Sequence, residues 1–293
     1  MASARSNSNL EQLGWVLTAL RKAHPEAQGE ASAPHAPALD PLSHLILAVL
    51  GDGASDSRAR SAFKRLQEAF VDWNEMRVTP PDEVAEMLRG LPAARDKAAA
   101  MNTFLNAIFE SRNVLSLDFL TDKPKREARA YLEGLAGVPA AAAAVVTLVC
   151  LEGHAVPADT GTLRLLNRLR LVEPEAKPDE VQPLLERHIA SKDAPAFHRL
   201  VRLHAEETCL AADPKCGACV LSAKCPSSEA GPRRGGAKGA KAAVVKPAAV
   251  KPAAVKPAVV KPTAVKPAAV KPAAAKPAAA KPVAAKSAGS PAA

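Results

Sequence analysis

Apolar residues fall at helical spacing along most of the chain, and no stretch alternates apolar and polar residues far enough to make a strand. The pattern predicts an all-α body. Its first helix spans about residues 10–23 and puts Leu13, Val16, Leu17 and Leu20 on one face, and an Ala- and Pro-rich loop over 25–37 follows. Asp40 before Pro41 has the form of an N-cap followed by proline at the first helical position. It opens a helix through Leu50 that Gly51, Asp52 and Gly53 stop. Further helices are predicted over about 56–70, 81–89 with Thr79 as cap, 93–112, 124–134, 139–152, 160–170, 178–190 and 195–208. Short helices joined by short links make one compact helical domain, or two lobes of one.

The helical pattern stops near Ser227. From there the chain is mostly Ala, Val, Lys and Pro, with no aromatic residue and no acidic one after Glu229. Such a segment cannot bury enough to offset its ordering entropy, so 227–293 is expected to be disordered. A five-residue repeat, Lys-Pro-Ala-Ala-Val and variants, places lysine at 246, 251, 256 and onward to 286. Lysine before proline disfavours the α region and predicts a semi-extended, positively charged string. The string is similar to the tails of linker histones, which bind DNA by charge; the plainer reading is a solvated linker without a specific partner.

Charge follows the same division. The net charge is +9 and the pI about 9.4, but the lysines and arginines of the tail exceed that surplus, so 1–226 is slightly acidic and the basic pI says little about the folded part. The longest apolar run, 139–151, is too short to span a bilayer, and the start of the chain shows no apolar leader with a cleavage site. A cytoplasmic, nucleoid-associated protein is expected, with no membrane partner.

Four of the five cysteines stand together as Cys209, Cys216, Cys219 and Cys225, at the spacing C-x6-C-x2-C-x5-C. Four thiolates so close in sequence can wrap one metal centre, and the short loops between them let the chain turn back on itself. A tetrahedral zinc site and an iron–sulfur cluster both satisfy that chemistry. Cys150, alone in an apolar helix, reads as a small core residue. His154, His188, His198 and His204 read as surface or packed histidines, and Trp15 and Trp73 as core or edge anchors.

The cysteine spacing resembles the iron–sulfur loop of the endonuclease III family of helix-hairpin-helix DNA glycosylases, which ligates a [4Fe-4S] cluster. Upstream, 132–169 is similar to that family's hairpin, aspartate loop and following helix. Leu135, Gly137 and Val138 match the hairpin, Asp159 and Thr160 the aspartate loop, and Arg164, Asn167 and Arg168 the helix beyond. The resemblance covers about 41–226 in consistent order. It implies an all-α helix-hairpin-helix glycosylase fold divided as an N-terminal helix and linker (1–40), a helical domain (41–208), a cluster loop (209–226) and the basic tail (227–293). It also implies a monomer acting on double-stranded DNA.

The same resemblance assigns roles. Leu135, Gly137 and Val138 would present backbone to a DNA phosphate, Lys215 and Lys224 would contact phosphates from the cluster loop, and Asp159 would be the catalytic carboxylate. The chain departs from the pattern at four places: Pro139 stands where the hairpin has its second glycine, Ala141 where bifunctional members carry the Schiff-base lysine, Gly53 where a glutamine fills the gap left by the everted base, and Gly161 where a histidine follows Asp-Thr. Alanine is no nucleophile, so the expected enzyme is a glycosylase without lyase activity by this route. The alternatives are a catalytically inactive iron–sulfur DNA-binding module, in which Asp159 serves only as a helix N-cap, and a zinc-stapled helical protein.

Overall fold

A computed structural model describes residues 12–25 and 39–228; the predicted start of the first helix, most of the loop over 25–37 and the repeat tail lie outside the described residues. Among those residues there is no strand. The helices in chain order are α1 (Gln12–Ala23), α2 (Pro41–Gly51), α3 (Asp56–Ala69), α4 (Trp73–Val78), α5 (Pro81–Met87), α6 (Ala94–Arg112), α7 (Lys125–Gly134), α8 (Ala140–Val149), α9 (Thr160–Arg168), α10 (Pro178–His188) and α11 (Ala194–Glu207). None of them is long and apolar enough to cross a membrane.

The local chemistry explains both the agreements and the departures. Asp40 caps α2 by accepting from the amides of Leu42 and Ser43 at 3.0 Å, with Pro41 in the first turn as expected. The sequence reading missed α4, which is held by a reciprocal cap: Asp72 accepts from the Glu75 amide and Glu75 accepts from the Val71 amide, each at 2.8 Å. Thr79 therefore does not open the next helix. Its amide donates to the carbonyls of Glu75 and Met76, closing α4, and Pro80 takes the capping position of α5. The helix expected over 139–152 ends at Val149, because Glu152 adopts a left-handed conformation and the Gly153 amide turns back onto the Thr147 carbonyl.

Packing gathers these helices around two apolar cores. One is built from α2 to α7 and includes Leu45, Ile46, Phe63, Met101, Phe104 and Leu132. The other joins α1 to α9, α10 and α11 through Leu13, Leu20, Leu165, Leu185, Phe197 and Val201, and reaches Leu221 in the cysteine loop. Helix α8 serves both: Ala142, Ala143 and Val146 face the first core, Ala144 and Leu148 the second. A helix buried on two sides has no use for a polar face, which accounts for its run of alanines and valines. Its one buried hydroxyl, Thr147 Oγ1, donates to the Ala143 carbonyl at 2.8 Å. Cys150 packs partly buried against the first core, and burial pushes its thiol up to about 12, so it stays protonated. Trp73 stacks at an angle on Phe63, centroids 5.7 Å apart, as an edge anchor of that core.

The turn between α7 and α8 depends on one glycine. Gly137 has φ +81°, and a Cβ built there would stand 2.6 Å from Thr103 Cβ and 2.9 Å from the Ala100 carbonyl oxygen of α6. Gly137→Ala is expected to destabilise the fold by about 1–3 kcal/mol from backbone strain alone, lowering the melting temperature by several degrees. Unchanged thermal unfolding of that variant would show that the turn does not need this geometry.

Candidate active site and cysteine loop

The first turn of α9 collects two carboxylates. Asp159, buried, caps the helix: one of its oxygens accepts from the Thr162 amide at 2.7 Å. No hydrogen bond to its other oxygen is found among the described residues, and Asp159 lines both adjoining cavities. Asp52, at the end of α2, accepts from the Thr160 amide at 2.8 Å and from its hydroxyl at 3.0 Å. Sequence reading had taken Asp52 only as a helix stop. Its side chain satisfies the amide that Asp159 does not, which leaves Asp159 with an oxygen to spare.

Two cavities meet at Asp159. The smaller, about 270 Å³, has an apolar lining that includes Ala48, Val49, Ala100, Pro139, Ala141 and Val145, with Asp52, Asp96, Lys97, Asp159 and Arg202 supplying charge. Ala141 thus faces the same space as Asp159. The larger, about 420 Å³, lies on the other side and contains Gly51, Gly53 and Gly161 together with Arg58, Arg164 and Arg202. Both glycines that depart from the resemblance, Gly53 and Gly161, therefore line the same cavity as the carboxylate.

Three charged or titratable neighbours had no sequence signal tying them to Asp159. Lys97 is buried on α6, and its Nζ donates to the Leu50 carbonyl at 2.8 Å and the Asp52 carbonyl at 2.7 Å; burial lowers its pKa to about 8 against the attraction of Asp52. Arg202 stands on α11 and donates to Glu206 at 3.2 Å. His198, one turn earlier, is buried with Nδ1 unpartnered; burial holds its pKa down to about 4, Asp159 opposing and Arg202 adding to the effect. Its reading as a packed histidine stands, but its place is beside the carboxylate.

The predicted DNA contacts are spread over two regions. Leu135 and Val138 pack partly buried against the first core, and Gly137 is exposed at the hairpin turn. Pro139, in the capping position of α8, offers no amide there. In the cysteine loop Lys215 is exposed, while Lys224 lies over the Trp15 ring with Nζ 4.7 Å from its centroid.

Cys209, Cys216, Cys219 and Cys225 all line one small cavity at the end of α11. Among the described residues no three acidic, histidine or cysteine side chains close on a single-ion position. Arg168 donates to Cys209 Sγ at 3.2 Å and to the Leu210 carbonyl at 2.6 Å, and Arg164 donates to the Cys209 carbonyl at 2.9 Å, so α9 grips this loop. Cys219 Sγ lies 3.5 Å from Nε2 of buried His204. Burial raises the Cys219 and Cys225 thiols, and the neighbouring cysteines add to the rise.

No family model matches the chain. It is 26% identical over 191 residues to DEMETER-like protein 2 of Arabidopsis thaliana, covering 59% of this chain but only 14% of that much longer protein. It is 25% identical over 183 residues to endonuclease III of Sulfolobus acidocaldarius, covering 62% of this chain and 79% of that one. The solved structure of an endonuclease III–DNA covalent intermediate superposes with a TM-score of 0.58 at 24% identity, over 75% of this chain and 96% of the other. The chain is similar to endonuclease III proteins and shares the fold of the solved one. Its helix-hairpin-helix glycosylase fold is the one expected from the hairpin, the aspartate loop and the order of the helices.

The histidine beside Asp159 sets a pH dependence. The folded pKa of His198 lies below its unfolded value near 6.5, so protons bind the unfolded chain first as pH falls. Stability is expected to decline from about pH 6.5 towards 4, and His198→Gln should make the decline shallower in urea titrations at pH 7 and pH 5. Buried His204, also held to about 4, keeps part of the decline in that variant. An identical slope in variant and parent would mean that His198 takes up a proton as readily folded as unfolded.

Proposed function

We propose that this chain is a DNA N-glycosylase acting on double-stranded DNA, with Asp159 as its essential carboxylate and no Schiff-base lyase activity at the hairpin position. The observation that carries the proposal is the placement of Asp159: one oxygen is fixed by the Thr162 amide, no hydrogen bond to the other is found among the described residues, and the residue lines a cavity together with Ala141. A carboxylate held this way can stabilise positive charge developing on the sugar and accept a proton from water. Water then adds to the anomeric carbon, the N-glycosidic bond breaks, and the base departs with the bonding electrons and takes up a proton. Ala141 contributes no amine, so no covalent sugar adduct forms through it.

Lys97 and Arg202 offset the two carboxylates, and the apolar wall limits water to the polar side of the cavity. The hairpin around Gly137, with Lys215 in the cysteine loop, is suited to phosphate contacts, and the lysine repeats of the tail add sequence-independent attraction. A binding-only module has one observation in its favour, the sufficiency of Asp159 as an N-cap. Base release decides between the two. Across a panel of lesion duplexes the parent is expected to release at least one base, Asp159→Asn to lose at least a hundredfold in rate, and borohydride to trap no adduct. Release that survives in the variant, or no release from any duplex, would refute the enzymatic reading.

Cys209, Cys216, Cys219 and Cys225 would hold a [4Fe-4S] cluster, and the donor set fits: four thiols on one cavity, with Arg168 donating to one sulfur. When bound, such a cluster ties the loop together by iron–thiolate bonds. The protein is expected to be brown and to contain iron and sulfide, and Cys216→Ser to lose the visible absorption and unfold at lower temperature. Colourless, fully folded protein carrying one zinc would establish the rival metal.

A further inference from the structure

Asp159 and Arg202 are the only residues that line both cavities. Arg202 is fixed on two sides. Its Nη2 donates to Glu206, whose other carboxylate oxygen accepts from the Asp56 amide at the start of α3 at 3.0 Å. Its guanidinium also lies against the end of α2, where a Cβ on Gly51 would stand 3.2 and 3.3 Å from its two Nη atoms. A guanidinium has five donors and no acceptor, and only one of those donors is engaged in a hydrogen bond here. The remainder are available where the larger cavity meets Asp159.

That cavity, at about 420 Å³, falls in the roughly 300–1,000 Å³ range of ligand pockets. A Cβ on Gly161 would stand 3.1 Å from Ala205 Cβ and 3.5 Å from an Asp159 oxygen, so α9 and α11 approach closely at its edge. Arg58 and Arg164 line it with Arg202, against Asp159 and Glu206, and the three guanidiniums favour a ligand that brings acceptors. In DNA, acceptors come from phosphates or from the carbonyl edges of bases. A phosphate here would set an anion beside the Asp159 carboxylate, whereas a base edge is neutral.

We propose that Arg202 is a specificity-determining residue that reads the everted base, selecting one whose edge carries two adjacent acceptors, as guanine does with O6 and N7. Adenine presents an amino donor beside N7 and would oppose the guanidinium. The proposal rests on the glycosylase reading for the location of the everted base, but its test needs no catalysis. Duplexes would carry, at one mismatched position, a non-hydrolysable 2′-fluoroarabino nucleotide bearing guanine or adenine, or a tetrahydrofuran abasic site. The full-length protein is expected to bind the guanine duplex about tenfold or more tighter than the adenine duplex. Arg202→Leu should abolish that preference without changing affinity for the abasic duplex, and Arg202→Lys, which keeps the charge but not the planar fork, should abolish it too. Absence of the preference in the parent would overturn the proposal, as would equal weakening of all three duplexes by Arg202→Leu with a shallower salt dependence, which marks a phosphate contact. Asp159→Asn should keep the preference even where base release is lost, so failure of the catalytic reading is seen separately.

Discussion

The site depends on how the first turn of α9 is satisfied. A helix start exposes amides that need acceptors, and here two carboxylates from different parts of the chain supply them: Asp52 from the end of α2 takes Thr160, and Asp159 takes Thr162. The Asp52 contact joins an element of the first core to an element of the second. It therefore sets where the two cores face each other, and both cavities open along that line. Without Asp52 the Thr160 amide and hydroxyl would need another acceptor, and the spare oxygen of Asp159 is the nearest candidate in the same turn.

The same helix carries the constraint to the other end of the molecule. Two turns beyond Asp159, Arg164 and Arg168 donate to carbonyls and one sulfur of the cysteine loop. The carboxylate and the sulfurs are thus attached to one short rigid element. Charges around the carboxylate are also matched: Asp52 and Asp159 face Lys97 and Arg202, with Lys97 further held by two carbonyls at the end of α2. Half-buried charges of one sign would be costly to desolvate, and the two cations reduce that cost for Asp52 and Asp159.

How much of this could be read from the chain divides along physical lines. The cap at Asp40, the run of alanines in α8, the N-cap at Asp159 and the cysteine spacing are local, and each is written in adjacent residues. Helix α4 was missed because six residues give too little periodicity, although the Asp72 and Glu75 spacing carried a capping signal. Lys97, Arg202 and the role of Asp52 were illegible for a different reason. Each lies on a separate helix or helix end, and only the packing of two cores brings them to Asp159. His198 reads as one more packed histidine until α11 is laid against α9. Lys224 illustrates the converse: a lysine that looks available for phosphate rests on the Trp15 ring contributed by the far end of the chain.

Helix α8 shows why the loss of an amine at position 141 and the retention of a carboxylate at 159 are compatible. Because α8 is wedged between both cores, its side chains are small and apolar almost throughout. Ala141 continues that character into the smaller cavity, so α8 offers a substrate there neither nucleophile nor hydrogen-bond donor. Polar chemistry is then confined to the side formed by α9, α11 and the end of α2. On the proposed glycosylase reading, a sugar seated against these apolar side chains would meet water on the side of Asp159, an arrangement suited to hydrolysis.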